Sequence, residues 1–345
     1  MSASDVARRD PARSDATVAI LDSREPETNV LSENACDDFF VEFRDIHSKI
    51  SCKNILRGIT FNVKRGEIMG ILGRNGAGKT TLLSLISGLR KHTSGEITVL
   101  GQRMPSHAAE FRRRMGFVLQ EDALYQELTL FENLNFSASL YDVQNSGERI
   151  LEVLEVLEVL GLSDRRDQVV NTLSGGLKRR TAIARAFLHD PELFIIDEST
   201  LGVDADARHA VWSYLRLLRS KKRTVIVATN YHDEALALCD RVAVLEKGRL
   251  LTVEDPRELV RRTGSRIDIE CDERTVKSLA SGVSCIRNVI RYDFNLSGIS
   301  LFLEKGTKQD EILRELASEH DSKIEGFRYR APDLSEVFKS LGERQ

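Results

Sequence analysis

The stretch Gly66-Glu67-Ile68-Met69-Gly70-Ile71-Leu72 is strand-like and apolar. It gives way at once to Gly73-Arg74-Asn75-Gly76-Ala77-Gly78-Lys79-Thr80, after which helical periodicity runs from Thr80 to Ile86. No other part of the chain restricts its fold so narrowly. A strand, a glycine-rich turn and a helix start in that order match the pattern G-x-x-x-x-G-K-[ST]. Glycines let backbone N–H groups wrap phosphate oxygens, and the helix N-terminus adds partial positive charge. Lys79 would reach the β- and γ-phosphates of a nucleotide, the Thr80 hydroxyl would ligate Mg2+, and Thr81 belongs to the same binding turn.

A second element fits that chemistry. Leu193-Phe194-Ile195-Ile196 is a buried-strand pattern that delivers Asp197 and Glu198 at its end, where open α/β sheets place their ligands. Asp197 would hold Mg2+ through water, and Glu198 would act as general base on the attacking water. Alone, an apolar strand ending in acids is commonplace. Downstream of a phosphate loop it becomes the second half of a nucleotide site.

The rest of the chain organises around these two strands. Residues 1–38 hold nine acids against four arginines without apolar periodicity, and read as a disordered acidic tail. From Phe39 to about residue 263, β-rich runs alternate with helical stretches, which predicts an α/β domain with a mostly parallel sheet. Strand patterns vanish between about 122 and 188, so a helical insertion is expected there. Inside it, residues 151–160 repeat Leu or Val with period three, which reads as one helix stopped by Gly161. Residues 264–345 predict strand 267–271, helix 273–280, strands 285–292 and 299–304, helix 308–318 and strand 324–329. That is the β-α-β-β-α-β order of a ferredoxin-like unit. A last helix is expected to start near Pro332, with Leu334, Val337, Phe338 and Leu341 on one face.

Composition removes several alternatives. With 50 Lys+Arg against 53 Asp+Glu the charge is −3, which lacks the basic excess of a nucleic-acid binder. No apolar run approaches the ~20 residues of a membrane span, so direct membrane insertion is not expected. Cys36, Cys52, Cys239, Cys271 and Cys285 are scattered, without a C-x-x-C pair. Together with the missing hydrophobic leader, they read as reduced thiols of a cytoplasmic protein.

Between the two halves of the site stands Leu173-Ser174-Gly175-Gly176-Leu177-Lys178-Arg179-Arg180. With it the chain resembles the ATP-binding-cassette (ABC) ATPases, Leu177 standing at the last position of the signature L-S-G-G-Q. Gln120 in Val118-Leu119-Gln120-Glu121 resembles the Q-loop, and Leu201-Gly202-Val203-Asp204 the D-loop. The resemblance covers roughly residues 39–262. It implies ATP and Mg2+ as cofactors, and a head-to-tail pair of cassettes, homodimeric or heterodimeric. In that pair Ser174, Gly175 and Gly176 of one copy cap the γ-phosphate held by the other, with Asp204 beside them. Gln120 would touch Mg2+ or the attacking water. The helical insertion, especially residues 121–135 with Tyr125 and Phe131, would receive a separate transmembrane permease, placing the protein on the inner face of the membrane. Glu121-Asp122-Ala123-Leu124, residues 174–180 and Pro332-Asp333-Leu334-Ser335-Glu336-Val337-Phe338 resemble the drug-resistance-type efflux branch.

Two positions depart from the family. Asn230, after strand 224–229, stands where the family has its switch histidine; it can donate a hydrogen bond but cannot take a proton. His232 would replace it only through a re-threaded loop. Ile50 stands where an aromatic residue usually stacks on adenine, which predicts weaker nucleotide binding and poorer discrimination of ATP from GTP. The expectation is therefore an ATPase powering export. A slow, ATP-closing regulatory partner in an asymmetric dimer is the rival. DNA-repair or translation ABC ATPases fit poorly, for want of long coiled coils, zinc modules or a second cassette.

Overall fold

A computed structural model describes residues 39–104, 112–118, 123–141, 146–198, 205–262, 264–272, 286–295, 298–319 and 324–330, with Val283 and Leu334 as single positions. The acidic tail, the expected helix 273–280 and all but Leu334 of the expected last helix lie outside these residues.

The chain opens with a long hairpin, β1 (Phe39–Ile50) and β2 (Lys53–Lys64), turned at Ser51 in a left-handed conformation. Then come β3 (Ile68–Leu72), α1 (Lys79–Ile86), β4 (Ser94–Val99) and β5 (Gln102–Met104). Strands β2-β1-β4-β5 pair antiparallel into a four-stranded sheet. The parallel-sheet expectation does not include this layer, because a hairpin of two twelve-residue strands turned on Ser51 carries no Asn-Gly or Gly-Gly signal.

Next are β6 (Met115–Val118), α2 (Leu130–Ser139), α3 (Ser146–Val159), α4 (Gly175–Phe187), β7 (Leu193–Asp197), α5 (Ala205–Ser220) and β8 (Thr224–Thr229). They are followed by α6 (His232–Leu238), β9 (Arg241–Glu246), β10 (Arg249–Glu254) and α7 (Pro256–Arg262). The main sheet has the order β10-β9-β3-β8-β7-β6, parallel throughout except at β10. Strands β3, β7 and β8 are buried at every residue, as unbroken apolar runs require when both faces are covered.

Alternate residues of these strands feed two cores. Ile68, Leu72, Ile196, Val225 and Val227 pack with Leu134, Ile183 and Val211 of the helices. Met69, Ile71, Ile195 and Ile226 pack with Phe43, Phe61 and Leu82 on the hairpin and α1. The period-three run lies in α3, where Val153, Val156 and Leu157 are buried and Leu151 is exposed. Gly161, with a positive φ, follows its end.

The C-terminal sheet consists of β11 (Ser265–Cys271), β12 (Val289–Asn295), β13 (Gly298–Leu303) and β14 (Ile324–Arg330), with α8 (Gln309–Glu319) between the last two. Its order β12-β13-β11-β14 is antiparallel throughout, with the third strand inserted between the first and second. Strand β12 starts four residues later than its pattern suggests, because Asn288 adopts a left-handed turn and the Val289 N–H bonds back to Ile286. Leu334 is fully buried, and it belongs to the helix-side core of the main sheet rather than to the C-terminal one.

Candidate nucleotide site

The phosphate loop forms because β3 ends against β9. Gly73 lies beside the Leu245 carbonyl, and a Cβ at Gly73 would sit 2.4 Å from that oxygen. The Ala77 N–H closes on the Arg74 carbonyl at 3.1 Å, and the Gly248 N–H donates to the Ala77 carbonyl at 3.1 Å. Gly248 in turn accepts from the Arg57 N–H of β2 at 2.8 Å. Neighbouring strands thus brace the loop from behind. Arg74, Asn75, Gly76 and Thr80 face outward, whereas Gly73, Ala77, Gly78 and Lys79 are buried and Thr81 is half-buried. Gly76 has a φ of 82°, and a Cβ added there would meet nothing within 4 Å. The loop therefore offers a concave cradle over the start of α1, lined by N–H groups, that an anion can enter.

Lys79 is 5% exposed, and its ammonium donates to the Gly73 carbonyl at 2.8 Å and the Arg74 carbonyl at 3.4 Å. Burial lowers its pKa, opposed by the charges of Glu198 and Asp197. Both acids thus act electrostatically on the same ammonium. Asp197 ends β7 at 5% exposure, and its Oδ1 is buried without a hydrogen-bond partner. An orphaned carboxylate oxygen beside the Thr80 turn fits an octahedral, oxygen-liganded Mg2+ carried by a nucleotide. Both residues also line a small pocket of about 40 Å³ between α1 and strands β6 and β7.

Glu198 follows the strand with a φ of 51°. Its N–H is held by the Ala228 carbonyl at 2.9 Å. Its own carbonyl accepts from Arg179 at 2.9 Å, and the Asp197 carbonyl accepts from the same guanidinium at 2.7 Å. No motif in the sequence gives Arg179 a place in the site. The signal is its register: Gly176, Arg179, Ile183 and Ala186 share the buried stripe of α4, and a charge on such a stripe needs partners.

Asn230 follows β8 and reaches the phosphate loop, its Nδ2 lying 3.5 Å from Asn75 Oδ1, while its own Oδ1 is buried without a partner. His232 opens α6 two residues later. Ile50 ends β1, half-buried and paired with Lys53 at the hairpin tip, on the hairpin whose Leu56 packs beside Gly78. Gln120 and Asp204 lie outside the described residues.

The signature residues are built differently. Ser174 caps α4 by accepting from the Leu177 N–H at 3.4 Å, and both Ser174 and Gly175 are exposed. Nothing lies within 4 Å of a Cβ at Gly175. Gly176 is buried behind them, and Leu177 is half-buried against the helical core. The start of α4 thus presents its N–H groups outward, with no acid in its first turn.

The family pattern described as ABC transporter matches residues 56–201. Nod factor export ATP-binding protein I of Burkholderia orbicola (strain AU 1054) is 38% identical over 67% of this chain and 74% of its own length. Linearmycin resistance ATP-binding protein LnrL of Bacillus subtilis (strain 168) is 33% identical over 85% of this chain and 94% of its own. The chain belongs to the ABC transporter ATPases. Among solved structures, the ATP-binding cassette MJ0796, in a dimeric post-hydrolysis state bound to ADP and Pi, superposes with a TM-score of 0.59. It is 28% identical and covers 63% of this chain and 99% of its own. This ABC ATPase is of the drug-resistance-type branch, binds ATP and hydrolyses it. No helix among its described residues is long and apolar enough to cross a membrane.

Proposed function

We propose that this ATPase powers export through a separate permease by closing head to tail with a second ATPase subunit over two ATP molecules. One observation carries the reading: α4 begins at the surface, with Ser174 and Gly175 exposed and the helix N-terminus directed outward. The buried Lys79 loop of the same chain supplies the complementary half of a phosphate clamp. The names of the export and resistance relatives, and of the dimeric solved cassette, agree with it.

In the closed pair, Gly73 to Thr81 bind the phosphates from one side, and Ser174 and Gly176 of the other copy from the opposite side. Thr80, Asp197 and Gln120 would hold Mg2+, which when bound neutralises charge on the β- and γ-phosphates. Glu198 takes the proton of the attacking water, its backbone already fixed by Ala228 and Arg179. By the family resemblance Asp204 would belong to the subunit junction, and the base would rest against Ile50.

The permease would dock on the helical region, at the cytoplasmic face of the membrane. Tyr125 and Phe136 are exposed there, in edge contact at 5.2 Å between ring centres. The buried Asn133 amide fixes the Tyr125 loop by bonds to Tyr125, Leu128 and Thr129.

A second reading, a slow ATP-closing partner, draws on Asn230. It occupies the loop contact of the switch position but cannot shuttle a proton. Light scattering of Glu198→Gln with ATP tests the main reading. A doubling of mass that requires ATP is expected; a single-subunit mass at saturating ATP would sink it.

A further inference from the structure

Arg179 does something that neither the phosphate loop nor the signature turn explains. It is 3% exposed, and it donates to two successive carbonyls, those of Asp197 and Glu198. A buried guanidinium costs several kcal/mol to desolvate unless its fork is well matched. Here it meets the backbone of the two acids assigned to the Mg2+ and to the attacking water. The peptide it holds is not relaxed, because Glu198 has a φ of 51°, an uncommon conformation for a residue with a side chain. The other side of that peptide is fixed to Ala228 of β8. The aim of the Glu198 carboxylate thus depends on a carbonyl whose holder belongs to a different element.

That element is α4. Arg179 lies five residues after Ser174, about 7.5 Å along the helix axis. The exposed end of α4 and its arginine are therefore parts of one short rigid body. We propose that Arg179 is a positioning residue that ties the grip of α4 on one nucleotide to the aim of Glu198 at the other, making hydrolysis at the two sites cooperative. The proposal rests on the head-to-tail reading above. A shift of α4 towards the γ-phosphate bound by a second copy moves the guanidinium, and with it the Asp197 and Glu198 carbonyls. A misplacement of about 1 Å at such a centre can cost about 100-fold in rate.

The test uses the full chain and the variants Arg179→Gln and Arg179→Lys. Affinity of the single subunit is read with a fluorescent ATP analogue, closure by ATP-dependent mass in a Glu198→Gln background, and turnover by phosphate release across ATP concentrations. For Arg179→Gln the expected result is affinity and closure within about two-fold of wild type. Its kcat falls about 10- to 100-fold at unchanged KM, and its Hill coefficient drops from near 2 towards 1. Arg179→Lys, which keeps the charge and three N–H donors on a single nitrogen, recovers part of the kcat. Unaltered kcat and Hill coefficient in Arg179→Gln overturn the proposal. So does a parallel loss of affinity, melting temperature and kcat in both variants, which would make Arg179 a mere support of α4. If wild type itself stays a single subunit with a hyperbolic ATP response, the head-to-tail reading fails first.

Discussion

The phosphate loop and the signature turn both carry glycines at the start of a helix, yet their surroundings are opposite. Around Lys79 the chain supplies its own walls: Leu245, Gly248 and Leu56 close behind the loop, and Asp197 and Glu198 lie in front. Around Ser174, among the described residues, the helix behind it is the support on view. The first is an enclosed cradle within one chain, while the second is an exposed helix start, which the proposed pairing would complete. The contrast teaches that burial, not glycine content, separates an enclosed anion cradle from an exposed set of helix-start donors.

The strongest way to break this contrast is to damage each region separately. Lys79→Ala should abolish high-affinity ATP binding by the single subunit and lower kcat/KM about 100- to 1,000-fold. Ser174→Arg should leave that binding within about two-fold while removing turnover as completely. Titration with a fluorescent nucleotide and a phosphate-release assay read both; loss of binding in Ser174→Arg would merge the two regions into one site. Asn230→His comes next in size. Adding proton exchange to the hydrogen bond that Asn230 can already donate should raise kcat roughly ten-fold. No gain, with ordinary wild-type turnover, removes the slow-partner reading.

Ile50→Tyr should have a smaller effect, tightening ATP binding by about 1 kcal/mol, some five-fold, through stacking on the base. It should also widen the preference for ATP over GTP, which competition between the two nucleotides measures.

The smallest effect concerns the far end of α4. His189 stacks on Tyr141 at 3.7 Å, contacts the Met115 carbonyl at 3.1 Å, and keeps an unpartnered buried Nδ1. Burial lowers its pKa below the ordinary 6.5, against the opposing Met115 bond and Asp190 charge. The folded protein therefore binds fewer protons than the unfolded chain in the window just below pH 6.5. Stability should fall as the pH drops through that window and recover above it. Urea midpoints between pH 8 and 5.5 should show a slope that His189→Gln flattens.

Much of the candidate site is contiguous in the sequence, so its parts can be picked out locally. Gly73 to Thr80, the strand into Asp197 and Glu198, and Ser174 to Gly176 are each contiguous, and the fold places each on the strand end or helix start that its pattern implies. Arg179 shows in the sequence only as a charge on a buried stripe, and its role does not, because it bonds backbone carbonyls eighteen and nineteen residues away, which leave no mark in a sequence. The β1–β2 hairpin is hidden for a related reason. Its turn relies on Ser51 at positive φ, which residue identity does not announce. The C-terminal strands lie close to their expected positions, except β12, which Asn288 displaces by three to four residues.

The turn between β9 and β10 also decides where this subunit can be instrumented. A Cβ at Gly248 would lie 1.9 Å from the Ile55 carbonyl, so even a methyl group there would jam the hairpin and, through Ala77, the nucleotide loop. The turns at Gly101 and Gly306 have open space around them. With φ of 77° and 88°, those two glycines are best left in place and a tag spliced in beside them, whereas the outwardly similar turn at Lys247-Gly248 is closed to engineering.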